Sequence, residues 1–188
     1  MIQTLYPCFQ RWSNGGSVYL ISDTHFEDDD CFLMDKNWIC PQEHVDILKE
    51  SVHKCDTLIH LGDVGNPEWM NQIKAHKVLI MGNHDTARTK YEPYFDEVFD
   101  GPLMIAEKIL LSHEPIQGIS WAFNIHGHDH SQLNKGDDFH LNLASNVVGW
   151  QAVSLKDIIR AGKLNKIKSL HRETIDNATK QKICRKGI

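Results

Sequence analysis

No stretch of this 188-residue chain holds more than five consecutive apolar residues. A bilayer-crossing helix needs about twenty, so a membrane span is excluded and no membrane partner is expected. Cysteine is sparse and unpatterned: Cys8, Cys31, Cys40, Cys55 and Cys184 are odd in number and form no Cys-x-x-Cys pair. Such spacing supports neither a disulfide framework nor a thiolate zinc site. Residues 1–7 lack the basic stretch and apolar core of a secretory leader, so a cytoplasmic location is expected. Positive charge is also scarce along most of the chain, with ten Lys and Arg against twenty-two Asp and Glu in residues 1–155. An acidic body favours cations and disfavours long duplex nucleic acid. Residues 156–188 reverse the balance, ten basic to three acidic, and read either as a solvated tail or as a grip on an anionic partner.

What remains is ordinary globular composition, 41% apolar and 24% charged, enough for one domain with a real core. Val18–Ser22, Thr57–Leu61 and Lys77–Met81 are short aliphatic runs followed by Asp, Gly or Asn, as buried strands ending in functional loops would be. Pro41 opens a helix carrying Val45, Leu48 and Val52, and Pro67 opens a shorter one through Ile73. Strands alternating with helices predict parallel pairing through right-handed crossovers. Leu103–Ala106, Ile109–Ser112, Ala122–His126, Phe139–Leu143 and Gln151–Val153 read as further strands, and a last helix starts at Ser154 and stops near Gly162. The expected fold is α/β, a two-sheet β-sandwich flanked by helices in αββα order. A single domain is expected over residues 1–162, followed by a basic helix or tail over 163–188.

Five clusters each follow a predicted strand: Asp23-Thr24-His25, Gly62-Asp63, Gly82-Asn83-His84-Asp85, Ser112-His113-Glu114 and His126-Gly127-His128-Asp129-His130. Loops at strand ends are where α/β proteins keep their active sites. Imidazole with carboxylate suits borderline divalent metals, and Asp23 and His25, two residues apart, can face one ion. Asp-x-His or Gly-Asp alone is usually a turn. All five in this order point to a metal site.

The set resembles the calcineurin-like metallophosphoesterases over roughly residues 17–155. The Ile21–Phe26 segment is similar to small, uncapped bacterial and phage-type members. The resemblance implies two divalent ions, one held by Asp23, His25 and His130, the other by Asn83, His113 and His128, with Asp63 bridging. It implies P–O hydrolysis by a hydroxide shared between the ions, which would also clamp phosphate oxygens. His84 is then the general acid, and Asp85 orients it. Asn83, a neutral ligand, lets an anionic substrate in, and Arg88 is a candidate phosphate contact or, equally, a surface salt bridge. Manganese is the expected metal; iron, zinc, nickel and cobalt suit the same ligands. The expected substrate is a phosphate ester, a diester in preference to a monoester, with a nucleotide or short nucleic acid among the candidates. A non-catalytic scaffold on the same fold, and a nuclease gripping phosphates with its basic tail, stay open as alternatives.

Other residues invite blander assignments. His60 reads as a hydrogen-bonded core histidine and His126 as a core residue or a support behind the ligands. Glu27–Asp30 reads as a solvated acidic run, with a third metal as the sharper alternative. Trp12, Trp38, Trp69, Trp121 and Trp150 read as core, with a place in the substrate pocket as the alternative for Trp121.

Overall fold

The computed structural model describes residues 2–170. In chain order the elements are β1 (Gln3–Thr4), α1 (Tyr6–Trp12), β2 (Val18–Ile21), α2 (Cys31–Met34), α3 (Pro41–Ser51) and β3 (Thr57–His60). A 3₁₀ helix (Pro67–Gln72), β4 (His76–Ile80), α4 (Arg88–Tyr91) and β5 (Glu97–Phe99) follow. The second half adds β6 (Leu103–Ala106), β7 (Ile109–Leu111), β8 (Phe123–His126), β9 (His140–Asn142), β10 (Val153–Ser154) and α5 (Leu155–Arg160). They form two five-stranded sheets flanked by helices, in the orders β10-β2-β3-β4-β5 and β1-β6-β7-β8-β9.

Side chains alternate across each strand, and both faces are covered. Leu20, Ile59, Leu61, Val78 and Ile80 of the first sheet meet Leu103, Ile105, Ile109, Leu111, Phe123 and Ile125 of the second in one core. Their neighbours Ile21, Leu58 and Leu79 face the other way, onto Val45, Leu48 and Val52 from α3 and its C-cap. This two-sided burial is why the strands read as continuous apolar runs. The outer face of the second sheet is closed by Met104, Leu110 and Ala122 with Ile116, Ile119 and Trp121. Trp121 therefore packs on this outer cluster, as its core reading expects, and not in a substrate pocket.

Strands β2, β3, β4 and β5 run parallel, as do β7, β8 and β9. Parallel strands present their C-terminal ends together, and ligand sites in α/β folds gather there. At that end the two sheets are joined: Ser22 bridges to Ala144, and the Ser145 hydroxyl donates to the Ser22 carbonyl at 2.6 Å.

The Pro67 segment forms a 3₁₀ rather than an α-helix, and Ser154 starts α5 without a side-chain cap bond. The core continues past Gly162, since Ile167 is buried in it and Leu164 packs against it. The rest of the expected basic tail, residues 171–188, lies outside the described residues. Among the described residues no helix is long and apolar enough to cross a membrane.

Two core histidines carry a pH signature. Burial pushes His44 down to about 4 and His60 down to about 3 from 6.5. Above pH 6.5 neither folded nor unfolded chain holds these protons. Below it the unfolded chain binds them first, so stability falls by about 1.4 kcal/mol per pH unit per group until the folded value is reached. Urea unfolding at pH 7.5 and 4.5 is expected to show His44→Leu losing about 2–3 kcal/mol less than the wild type across that interval. An equal loss in both would show that His44 is not held neutral.

Candidate active site

All five sequence clusters converge at the C-terminal ends of the parallel strands. Asp23 and His25 follow β2, Asp63 follows β3, Asn83 and His84 follow β4, His113 follows β7, and His128 and His130 follow β8. The chain turns abruptly at these points. Asp23, His25, Asp63 and His128 all have left-handed backbones, with φ of 57°, 42°, 57° and 71°. Non-glycine residues adopt this conformation at a cost, and such strain clusters at functional sites.

The neighbouring glycines admit the same close approach. A Cβ on Gly82 would stand 2.2 Å from Asp63 Oδ1, and one on Gly127 would stand 2.2 Å from Asp23 Oδ2. The carboxylates are held alike, each with one oxygen tied to a neighbouring loop. The His128 amide donates to Asp23 Oδ2 and the His84 amide to Asp63 Oδ1, both at 2.9 Å. Asp23 Oδ1 and Asp63 Oδ2 are left facing the histidines.

Two groups of ligand-type atoms result. In the first, Asp23 Oδ1 lies 3.6 Å from His130 Nε2 and 4.0 Å from His25 Nε2. In the second, Asn83 Oδ1 lies 2.8 Å from His113 Nε2 and 3.0 Å from His128 Nδ1. Asp63 Oδ2 stands between the groups, 3.7 Å from His25 Nε2 and 3.2 Å from His113 Nε2.

The tautomers are set from behind. His113 Nδ1 donates to the Leu61 carbonyl at 2.9 Å, so the neutral ring aims a lone pair from Nε2 at Asp63 and Asn83. Acceptors crowded at these distances call for a positive charge among them. The His113 imidazole feels this: burial pushes it down, but Asp63 and Asp23 outweigh that and raise it. Asp63 responds in kind. Burial would raise its carboxyl, yet the His113 ring and the His84 amide hold it down at about 2. In the first group Asp23 Oδ1 and His25 Nε2 are buried without a hydrogen-bond partner. Orphaned atoms of this kind, a carboxylate oxygen and an imidazole nitrogen aimed together, fit a divalent cation.

His84 is exposed, its ring centroid 5.4 Å from that of His25. It borders an open groove of about 690 Å³ lined also by Glu27, Asp28, Asp30, Asn66 and Lys90. The acidic run thus lines the site instead of merely meeting solvent. Asp28, Cys31 and His25 form a third group of ligand-type atoms. Burial, followed by Asp28, pushes the Cys31 thiol up to about 12, which disfavours the thiolate a metal would need.

Asp85, Arg88 and the tryptophans fall as follows. Asp85 does not reach the His84 ring. Its buried carboxylate takes the Asp63 and Gly82 amides on Oδ2 and the Val64 amide on Oδ1, at 2.8–3.0 Å. Side chain 85 points beneath the strand ends, whereas side chain 84 is exposed above them. Arg88 pairs with Glu92 at 2.9 Å and with Asp100 at 3.8 Å on the surface, and Lys90 is the cation lining the groove. Trp38, in place of Trp121, borders the ligand rings, with centroids 5.9 Å from His25 and 5.6 Å from His130.

The supporting histidines behave as expected. His60 Nδ1 accepts the Gly62 amide, so Nε2 donates to Thr24 Oγ, tying the first two loops together. His126 is buried, and its Nδ1 donates to the Gly127 carbonyl at 2.8 Å.

A family profile described as the calcineurin-like phosphoesterase superfamily domain matches residues 17–143. No curated protein matches the chain. Among solved structures, the Aquifex aeolicus protein AQ665, of unknown function, is 24% identical, covers 78% of this chain and 99% of its own, and has a TM-score of 0.64. At that identity the likeness speaks for the fold alone. The Pseudomonas putida nuclease MPE is 24% identical over 59% of this chain and 60% of its own, with a TM-score of 0.43, too distant to bear on function. The profile spans well over half of the sequence, including all five clusters that meet at the strand ends, and the chain belongs to the calcineurin-like phosphoesterase superfamily.

Proposed function

We propose that the protein is a two-metal phosphodiesterase. Asp23, His25 and His130 hold one ion, Asn83, His113 and His128 the other, and Asp63 is shared. The observation that carries this reading is the convergence of the two groups on Asp63 Oδ2, with Asp23 Oδ1 and His25 Nε2 buried and unpartnered beside it. Two divalent ions at such a site supply a nucleophile at neutral pH and neutralise charge on the phosphoryl oxygens.

The chain's own residues do the rest. Asn83 contributes an uncharged oxygen, so the ligand set repels an incoming phosphate less than a third carboxylate would. His84 stands at the groove mouth with its main chain fixed by Asp63, where its imidazole can hand a proton to the departing oxygen. Asp85 acts at one remove, fixing the loop that carries His84. Lys90 is the nearby cation for a substrate oxygen. Glu27, Asp28, Asp29 and Asp30 border the same groove and oppose a second phosphate, which favours small diesters over a polynucleotide. Manganese is the metal we assign, from the mixed oxygen and imidazole ligands.

Hydrolysis of bis-p-nitrophenyl phosphate beside p-nitrophenyl phosphate, with added Mn²⁺, tests the reading. Turnover is expected for the diester, is abolished by a chelator, and falls about 10²–10⁴-fold in His84→Ala with Mn²⁺ uptake unchanged. Metal binding without cleavage of either compound would sink the catalytic reading in favour of a scaffold. Gly127→Ala, whose methyl group would press on Ser22 Oγ and on Asp23 Oδ2, is expected to weaken Mn²⁺ uptake at least tenfold in a calorimetric titration. Unchanged uptake would mean that Asp23 is not a ligand.

A further inference from the structure

The ligand-type histidines are braced from behind by different acceptors. A backbone carbonyl stands behind His113, and the Asn146 amide oxygen lies 3.2 Å from His130 Nδ1. Behind His25 stands a carboxylate, with Asp28 Oδ2 3.0 Å from Nδ1. Asp28 is itself anchored: its Oδ1 accepts the Asp30 amide at 3.0 Å, and its own amide donates to the His25 carbonyl at 3.1 Å.

We infer that Asp28 is a positioning residue that sets the tautomer and ring plane of His25 toward the ion shared with Asp23 and His130. The inference rests on the two-ion reading above. A neutral imidazole carries one N–H. With a carboxylate on Nδ1 the proton stays there, and the lone pair is on Nε2. That atom is buried, unpartnered, and 4.0 Å and 3.7 Å from the free oxygens of Asp23 and Asp63. The backbone of His25 is left-handed, so the main chain alone does not hold the ring in a relaxed pose. Trp38 closes one side edge-on, and Asp28 supplies the directional contact. A third ion among His25, Asp28 and Cys31 would have to displace the Nδ1 proton, and the Cys31 thiol already donates to the His25 carbonyl at 3.4 Å. Carboxylates behind metal-bound histidines typically contribute 10–100-fold in affinity, by orienting the ring and raising its basicity.

The test is Mn²⁺ titration of the metal-free full chain by calorimetry, with electron paramagnetic resonance to count bound ions. Wild type is expected to bind two. Asp28→Ala should weaken one of them about 10–100-fold and leave the other unchanged. Asp28→Asn, whose amide oxygen can still accept the Nδ1 proton, should recover most of the loss. Asp29→Ala, which removes an equal charge from the next, exposed position, should change neither ion. Wild-type affinity for both ions in Asp28→Ala would overturn the inference. So would an Asp28→Asn defect as large as that of Asp28→Ala, which would make charge the cause, or a third wild-type ion lost with Asp28. Thermal melts identify a misfolded variant; should Asp28→Ala fail to fold, Asp28→Leu, which likewise cannot accept the Nδ1 proton, takes its place with the same expected loss at one ion, and wild-type affinity for both ions in it overturns the inference. A wild-type chain that takes up no Mn²⁺ refutes the two-ion reading itself, an outcome separate from failure at Asp28.

Discussion

One buried carboxylate ties the site together. Asp85 takes three backbone amides, those of Asp63, Val64 and Gly82, and so makes the loops after β3 and β4 into one unit. Hydrogen bonds to a charged acceptor contribute about 1.5–3 kcal/mol each, and three of them answer the desolvation of the carboxylate. The Tyr91 phenol packs against the same group; burial first, then Asp85, pushes its ionisation up to about 12. The rest follows from that tie. Gly82 must lie against Asp63, the His84 amide then reaches Asp63 Oδ1, and Oδ2 is left facing the histidines of both groups.

Left-handed backbone at Asp23, His25, Asp63 and His128 costs on the order of 1–3 kcal/mol per residue. The sandwich can carry that cost because the strands behind each loop are buried on both faces. Every strained residue is also bound across to another loop. The Asp23 amide donates to the Gly62 carbonyl, the His25 amide to the Asp63 carbonyl, and the His128 amide to Asp23. Ser22 and Ser145 close the seam between the sheets directly beneath. Rigidity in the core thus becomes placement at the rim.

This division explains what could be read from sequence. Val18–Ile21, Thr57–His60 and His76–Ile80 announce themselves because two-sided burial gives each an aliphatic centre, and a ligand-bearing cluster follows each of them. The short elements are silent for the opposite reason. β1 is two exposed residues paired at a sheet edge, and β5, Glu97–Phe99, is too brief for its alternation to be distinctive. Side-chain direction is the other blind spot. Adjacent positions 84 and 85 point to opposite sides of one loop, so proximity in sequence suggested a His84–Asp85 pair that the fold does not make. Asp28 looked like one of four interchangeable acids, and only the turn after His25 singles it out. Trp38 and Trp121 have similar surroundings in sequence; the position of their loops on opposite sheets separates them.

Charge links the body to the site. An acidic chain that buries Asp23 and Asp63 within a ring of imidazoles needs positive charge at the centre, and in the bare protein His113 comes closest to providing it. That is a poor solution, because Asp23 Oδ1 and His25 Nε2 stay unsatisfied on the other side. Cations would satisfy both sides at once, and in the two-ion reading they would also bind the folded state selectively, so ion binding and folding stability are linked. The same arithmetic shapes the groove. Glu27, Asp28, Asp29, Asp30 and Lys90 line it together, so in the two-ion reading attraction for a phosphate ester would be strongest at the ions and weaker along the acidic wall. Such a field would disfavour further negative charge on a ligand, and it comes from a loop whose carboxylates include Asp28, 3.0 Å from His25 Nδ1.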